Sequence, residues 1–354
     1  MKIKISKFQI GLYIILAIIL FYFIGYPSLT GDISIQAYSD AKTYERVALL
    51  INSLSDALFS TEVSQNLAGP LLILKLLNSN YLLIFIFNVV CLLVSIKVIF
   101  DNYKINRKVF LFFIFINPMT LFALFSVNKE ILAFLSIAIY LAYIKNKNIK
   151  YFIIALLVAF LARWQLLLFV IVSSVLVYLD THIKQKKLFR YLIIILLLVI
   201  ISLIFPLFTT LFSKVLEYSD SSEVTGTGIF QRMNDLQLEY GGYILVFIPK
   251  LLQILFGLLL SRYRLITDFS DFWNNVVQYF NSASFFVLSL YLLYKRKINI
   301  KYVNLYLAVI YCLIFTLTVI FSPRYFFGLY LILALLASEF SYRKNSANVK
   351  VSVS

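Results

Sequence analysis

The chain has 354 residues, of which 62% are hydrophobic and 14% are charged, and its mean hydropathy is +0.92. About a quarter of the residues in a soluble domain are charged, so this composition excludes a soluble enzyme and a soluble nucleic-acid-binding protein. Apolar runs of about twenty residues, the length that a helix needs to cross the hydrocarbon core, recur throughout the chain. The composition therefore predicts an all-α, polytopic integral membrane protein.

The net charge of +16 is concentrated between the apolar runs. Of the 32 lysines and arginines, 20 lie in the short segments 1–7, 101–108, 145–150, 181–190, 295–301 and 341–354. Cytoplasmic loops of membrane proteins carry an excess of Lys and Arg. We therefore expect these segments, and with them both termini, to be cytoplasmic, and no nucleic-acid partner is implied.

The first predicted element is an apolar helix at 9–26. It resembles a signal peptide but has no small-residue cleavage site after its apolar run, so we expect it to be retained. An outer loop follows at 27–66, and the short apolar segment 66–78 is expected to lie along the outer face or to dip into it. A helix at 79–100 returns the chain to the inside.

The apolar stretch 151–179 is interrupted by Arg163. Basic segments on both sides of the stretch are expected inside, and one long helix would put them on opposite sides. The stretch therefore predicts two short helices, 151–162 and 166–179, with Arg163 at the outer tip between them. A twelve-residue helix rises only about 18 Å against a core of about 30 Å, so the tip would lie below the outer surface. The alternative is that Arg163 merely extends its charged group to the lipid headgroups.

The remaining elements complete a single transmembrane domain over residues 1–354. Further crossings are predicted at 109–126, 131–144, 191–212, 275–294, 302–321 and 325–340. A second outer loop is predicted at 213–243. The apolar segment 244–264, broken by Pro249, is expected to be re-entrant or to lie flat on the outer face. The prediction is thus about ten transmembrane helices plus two short interfacial or re-entrant helices on the outer face.

Polar residues of chemical interest collect on the predicted outer side. They include Asp40, Lys129, Glu130, Arg163, Gln165, Arg232, Arg324 and Tyr325. Ionisable groups at membrane depth indicate a functional site, arginines bind phosphate oxygens in a planar, bidentate way, and carboxylates can serve as general bases. Several arginines with a few carboxylates at one membrane face suit a lipid-linked phosphate substrate.

Each of these residues also has a purely structural interpretation. Asp40 could cap an amphipathic helix, and Glu130 could be an acidic residue at an ordinary helix N-terminus. Arg324 could extend to the headgroups, and Arg232 could be a solvated loop residue. A functional site is favoured because all of these residues lie on the same predicted outer face.

Several chemistries are not supported by the sequence. The single histidine, His182, lies in a predicted cytoplasmic loop, so a histidine-dependent nucleophile is not available at the outer face. The sequence has no Cys/His spacing typical of a metal site and no glycine-rich phosphate loop. We therefore expect no metal and no cofactor, and no ATP-driven transport by this chain alone.

The first predicted outer loop carries the pattern D-A-x-x-Y-x-x-x-A, formed by Asp40, Ala41, Tyr44 and Ala48, and is followed by NLAGPL at 66–71. These stretches resemble the first outer loop and the next membrane entry of the C-type glycosyltransferase superfamily, whose members use polyprenyl-linked sugars. In that superfamily an acidic residue of this loop is the catalytic base or a metal ligand. The resemblance implies that role for Asp40.

Three other stretches are similar to the O-antigen and capsule repeat-unit polymerases of the Wzy type. They are INPMTLFALFSVNKE at 116–130, LARWQ at 161–165 and SPRYFFGLY at 322–330. The resemblance implies a multi-pass enzyme of the bacterial inner membrane that polymerises undecaprenyl-diphosphate-linked repeat units at the periplasmic face. A flippase and a chain-length regulator of the same pathway would be its partners.

The resemblance also implies roles for the residues of the outer side. Arg163 and Arg324 would stabilise the leaving diphosphate, and Asp40 or Glu130 would deprotonate the acceptor hydroxyl. The residues expected to assist in substrate binding are Lys129, Gln165, Arg232 and Tyr325. Two alternatives stay open. The first is a C-type glycosyltransferase that adds a single sugar from a polyprenyl-phosphate donor, and for this enzyme a divalent metal is expected. The second is a glycolipid flippase or transporter.

Overall fold

The computed structural model describes residues 2–30, 39–51, 53, 67–204, 229–260, 272–295, 299–318 and 323–351. These residues are almost entirely helical, and none of them lies in a β-strand. The helices are α1 (Lys2–Leu20), α2 (Tyr26–Thr30), α3 (Ser39–Leu50), α4 (Ala68–Leu76), α5 (Tyr81–Asn102), α6 (Arg107–Ile116), α7 (Pro118–Phe125), α8 (Glu130–Asn146), α9 (Ile149–Ala162), α10 (Trp164–Thr181), α11 (Lys186–Ile204), α12 (Ile229–Tyr240), α13 (Tyr243–Leu260), α14 (Phe272–Tyr294), α15 (Val303–Phe315) and α16 (Phe327–Val351). A π-helical turn (Phe21–Gly25) joins α1 to α2, and a 3₁₀ turn (Pro323–Phe326) precedes α16.

Asparagine side chains begin four of these helices. The capping residues are Asn80, Asn106, Asn117 and Asn148, and the side-chain oxygen of each accepts a backbone N–H from the first turn that follows. The first N–H groups of a helix have no partner within the helix, so such a cap satisfies a donor that would otherwise have no partner in the protein. These short polar positions between long apolar runs therefore set where the helices start.

Within the described part of the chain, five helical segments are long and apolar enough to cross a membrane, and a bent pair makes a sixth if it counts as one span. The five are Lys7–Gly25, Tyr81–Asn102, Trp164–Thr181, Lys186–Ile204 and Val276–Tyr294. Shorter apolar helices occur at Ile149–Ala162, Tyr243–Phe256 and Val303–Phe315. The multi-pass membrane character of the chain is consistent with this inventory. Ten crossings and two outer-face helices stay a prediction.

The stretch around Arg163 folds as two helices, α9 and α10, as the sequence predicts. Their directions follow from contacts with α8. The Ser136 hydroxyl donates to the Ala155 carbonyl, and the Tyr143 ring packs on Phe152, so α9 runs antiparallel to α8. Arg163, just before α10, contacts Glu130 at the start of α8, and the Tyr140 and Ser173 hydroxyls are hydrogen-bonded at 2.7 Å farther along both helices, so α10 runs parallel to α8. The two helices therefore form a hairpin with Arg163 at its tip.

Four of the basic segments, 101–108, 145–150, 181–190 and 295–301, come together at the opposite end of the bundle from Arg163. The side chains of Asn102 and Asn146 are hydrogen-bonded there, and the Asn106 N–H donates to the Ser338 carbonyl at 3.1 Å. At the same end Arg190 forms a bidentate ion pair with Asp180 at 3.0 and 2.6 Å, and it also donates to the Ile300 carbonyl at 2.6 Å. One end of the molecule is thus basic, and the other carries the candidate site.

Two details differ from the sequence-based prediction. The crossing predicted as one helix at 109–126 is a pair, α6 and α7, bent by 66° at Asn117. Because Pro118 has no N–H, the last carbonyls of α6 need other donors, and the Thr120 hydroxyl supplies one to Ile114 at 2.7 Å. Conversely, Pro249 does not break the segment predicted at 244–264 but lies inside the helix α13, as packed membrane helices allow.

The two predicted outer loops are described only in part. The first, 27–66, contains the end of α2 and the helix α3. The second, 213–243, contains α12, and its residues 213–228 lie outside the described residues. The helix predicted at 191–212 is described as far as residue 204.

Candidate functional site

The candidate site is built around Arg163, the single extended residue between α9 and α10, with φ −163° and ψ 141°. Its N–H donates to the Ala159 carbonyl at 2.8 Å, and its carbonyl accepts the N–H groups of Leu166 and Leu167 at 3.1 Å. The break therefore leaves no backbone group of Arg163 unsatisfied. The Arg163 side chain forms an ion pair with Glu130, the first residue of α8, and both residues are only 6% exposed.

Two further residues of the prediction lie against this ion pair. The Arg163 guanidinium lies over the Tyr325 ring, 4.1 Å from its centroid, and the Arg324 guanidinium is 5.9 Å from the same centroid. The Tyr311 hydroxyl fixes the turn by donating to the Tyr325 carbonyl at 2.7 Å. We call these five residues, Glu130, Arg163, Tyr311, Arg324 and Tyr325, the Arg163 site.

Close helix packing brings these elements together. A Cβ atom at Gly69 in α4 would overlap the Leu161 carbonyl oxygen, two residues before Arg163. A Cβ atom at Gly328 in α16 would overlap the Ile137 side chain and lie 2.9 Å from the Tyr311 hydroxyl. Both glycines lie in helices, where they cost stability relative to alanine. Their value here is that they let backbones approach closely, as small residues do between membrane helices.

The electrostatics of the Arg163 site favour an anion. The site contains two arginines and one carboxylate, and the Arg324 charge acts unfavourably on the Arg163 charge. The Glu130 carboxylate neutralises the positive charge of buried Arg163, while Arg324 is only half-buried. An anion that approaches from the Arg324 side would relieve the repulsion between the two arginines, and the guanidinium fork matches phosphate oxygens.

Two asparagines, one of which, Asn88, the sequence analysis did not single out, order the loop before Glu130. Buried Asn88 in α5 donates to the carbonyls of Leu124 and Ser126 at 3.1 and 2.9 Å. Asn128 donates to the Ser126 carbonyl at 2.7 Å and accepts the Ile131 N–H at 3.1 Å, so it satisfies one donor in the first turn of α8. In the sequence, Asn88 is a lone amide within an apolar helix. Because an unpaired polar group is costly there, this position indicates a buried hydrogen-bond partner.

Helix α3 of the predicted first outer loop lies beside the site. Lys129 places its ammonium 5.5 Å from the Tyr44 ring centroid, so α3 packs next to the start of α8. Glu45 of α3 is hydrogen-bonded to the Tyr81 hydroxyl, and its partial burial raises its pKa, an effect that the hydrogen bond and Lys42 oppose. Asp40 lies in the first turn of α3, but its side chain lies outside the described residues.

Two predicted binding residues are not brought into the site. Gln165 is half-buried in the first turn of α10, and Arg232 is exposed on α12. Within the described part of the chain, no polar contact joins either side chain to the Arg163 site. Their roles in substrate binding stay predictions.

The chain matches no protein-family model, no curated protein and no solved structure with which it was compared. No group of three or more His, Cys, Asp or Glu suited to a metal ion occurs among the residues that the structure describes. The geometry of the Arg163 site is therefore the basis for any functional argument.

Proposed function

We propose that this protein is an inner-membrane glycosyltransferase that polymerises undecaprenyl-diphosphate-linked oligosaccharide repeat units at the periplasmic face. The observation that carries the proposal is the Arg163 site itself. Two arginines from sequence-distant segments converge on one tyrosine ring at the end of the bundle opposite to the basic segments. A buried arginine in a membrane protein is costly, and binding a diphosphate is a function that accounts for that cost.

The reaction is a displacement at the anomeric carbon of the lipid-linked donor. The acceptor hydroxyl oxygen forms the new glycosidic bond, and the bond between the anomeric carbon and the diphosphate oxygen breaks. The diphosphate leaves with the electron pair, and a base takes the hydroxyl proton. Arg324, which is half-buried, meets the diphosphate first, and Arg163 stabilises the charge that develops as it leaves.

The candidate general bases lie on α3. Glu130 is committed to the ion pair with Arg163, and accepting a proton would break that pair and leave a buried arginine uncompensated. We therefore assign Glu130 the role of counterion and keep Asp40 as the candidate base. Glu45 becomes a second candidate because it lies on the same helix, beside Tyr81.

The position of α3 also favours a second candidate function. A catalytic carboxylate on the first outer loop is what the resemblance to single-sugar C-type glycosyltransferases implies, and Tyr44 brings that loop against Lys129. Such an enzyme would use a polyprenyl-phosphate sugar and a divalent metal, and it would add one sugar only.

The proposal is tested with purified protein in lipid nanodiscs and an undecaprenyl-diphosphate-linked repeat unit as the only substrate. We expect a ladder of products with two, three and more repeat units, formed also in the presence of EDTA. Arg324→Lys should shorten the ladder strongly, while Arg107→Lys, at the basic end of the bundle, should leave it unchanged. Addition of a single sugar from a polyprenyl phosphate, abolished by EDTA, would support the second function instead.

A flippase is distinguished in the same system. In sealed vesicles a flippase would move the lipid-linked glycan across the bilayer and form no new glycosidic bond. That result would rule out both glycosyltransferase proposals.

A further inference from the structure

A fully buried lysine lies outside the Arg163 site, on the helix α13. Lys250 is 0% exposed, and its ammonium donates to the Gln237 side-chain oxygen at 2.6 Å. Gln237 is also fully buried, and its amide nitrogen donates to the Leu317 carbonyl at 3.1 Å. Lys250 and Gln237 thus belong to a polar relay that reaches the backbone beyond α15.

The relay ends where the chain leaves α15 toward Arg324. Helix α15 ends at Phe315, and Leu317 lies six residues before the 3₁₀ turn that carries Arg324. Helix α13 reaches α15 a second time, since the Tyr243 hydroxyl donates to the Leu313 carbonyl, and α13 also packs against the 3₁₀ turn. The segment formed by α12 and α13 therefore holds both the end of α15 and the turn.

Lys250 is connected to the C-terminal end of α15 through the Gln237 side chain. The last carbonyls of a helix form the negative end of its dipole, which stabilises a nearby cation. The opposite face of α13 is apolar and exposed, with Leu245 77% exposed and Ile248 56% exposed. A lysine on the inner face loses the hydration of its ammonium group, so an apolar residue would be the less costly choice for packing alone.

We propose that Lys250 and Gln237 are positioning residues that set the location of the Arg324-bearing turn in the Arg163 site. Lys250 orients the Gln237 amide, and the amide holds the Leu317 carbonyl. The same relay fixes α13, and α13 packs against the 3₁₀ turn and so determines where Arg324 and Tyr325 lie relative to Arg163. This inference rests on the proposed function for its effect on transfer, but the ordering of the turn is independent of it.

The decisive variant is Gln237→Glu. The new carboxylate keeps the contact with Lys250, and it has almost the same shape, but it has no N–H to donate to Leu317. Lys250→Met removes the other end of the relay, and the double variant Lys250→Met with Gln237→Leu replaces the relay by apolar groups. Leu245→Ala, on the exposed face of α13, is the matched control.

Two measurements are made on each variant in nanodiscs: hydrogen–deuterium exchange of the peptide 311–326, and kcat and KM for chain extension. We expect Gln237→Glu and Lys250→Met to raise exchange in that peptide and to lower kcat about tenfold or more, because a displacement of about 1 Å can cost that much. KM should stay within about twofold. The double variant should recover thermal stability but not kcat, and Leu245→Ala should behave as the wild type.

Three results would overturn the inference. They are unchanged exchange and kcat, faster exchange with unchanged kcat, and a lower kcat with unchanged exchange. If the wild type forms no glycosidic bond, the proposed function fails, and the exchange measurement still decides whether the relay orders the turn.

Discussion

Replacing Arg163 with lysine keeps the positive charge beside Glu130 but removes the planar guanidinium that lies over the Tyr325 ring at 4.1 Å. If Arg163 only extends to the headgroups, lysine serves equally well, since either charged group can reach the interface on an apolar stem. If Arg163 binds a diphosphate with a fork of donors, lysine does not replace it. The substitution therefore separates the two interpretations.

The structure sets the expected magnitudes. Removing one partner of a buried ion pair costs about 3–5 kcal/mol of stability, so Arg163→Met is expected to be strongly destabilising. Arg163→Lys keeps the pair and loses mainly the stacking on Tyr325, which is worth about 2 kcal/mol or more in a desolvated site. For transfer, losing one charge-assisted hydrogen bond of about 1.5–3 kcal/mol predicts a rate lower by about tenfold to about a hundredfold.

The assay compares strains that carry a single variant. Lipopolysaccharide is separated by gel electrophoresis, and membrane abundance of the protein is measured in parallel. We expect Arg163→Lys to give mainly single repeat units, with the long ladder strongly reduced at normal abundance. The double variant Arg163→Met with Glu130→Leu serves as the control for folding, because replacing both partners of a buried pair by apolar residues is often neutral for stability.

Two results would refute the reasoning. A wild-type ladder from Arg163→Lys would show that Arg163 is an anchor, and the phosphate-binding argument would then rest on Arg324. A wild-type ladder from the double variant would show that the ion pair is purely structural.

The other predictions concern topology and the base. A cysteine introduced at Ser222 should react with an impermeant reagent added outside the cell, and one at Asn146 should not; the reverse pattern would place the Arg163 site in the cytoplasm. For the base, we expect Asp40→Asn to abolish transfer at normal protein level, because asparagine keeps the size and one hydrogen-bonding oxygen of the side chain but cannot accept the proton. If Glu45→Gln abolishes transfer instead, Glu45 is the base. Because burial raises the pKa of Glu45, the wild-type rate should then begin to fall, as the pH is lowered, at a pH above the usual pKa of a glutamate. Full activity in both variants would show that the base does not lie on α3.

The sequence alone predicted the features that depend on neighbouring residues. Apolar runs long enough to cross a bilayer predicted a helical membrane protein, and the helical content and five candidate spans agree with that class. The basic segments at both ends of 151–179 required two helices there, and the structure has them, with Arg163 as the single residue between. These predictions succeed because helix length and charge distribution are local properties of the chain.

Only the tertiary structure decided which polar residues meet. Glu130 and Arg163 are 33 residues apart, and Tyr325 comes from the far end of the chain, so no local pattern assigns them to one site. The relay from Lys250 to Gln237 is equally invisible in the sequence, where the lysine is one charge in an apolar run. Such partners are selected by the packing of distant helices, because a buried charge or amide must find its partner among whichever groups the fold brings within hydrogen-bonding distance.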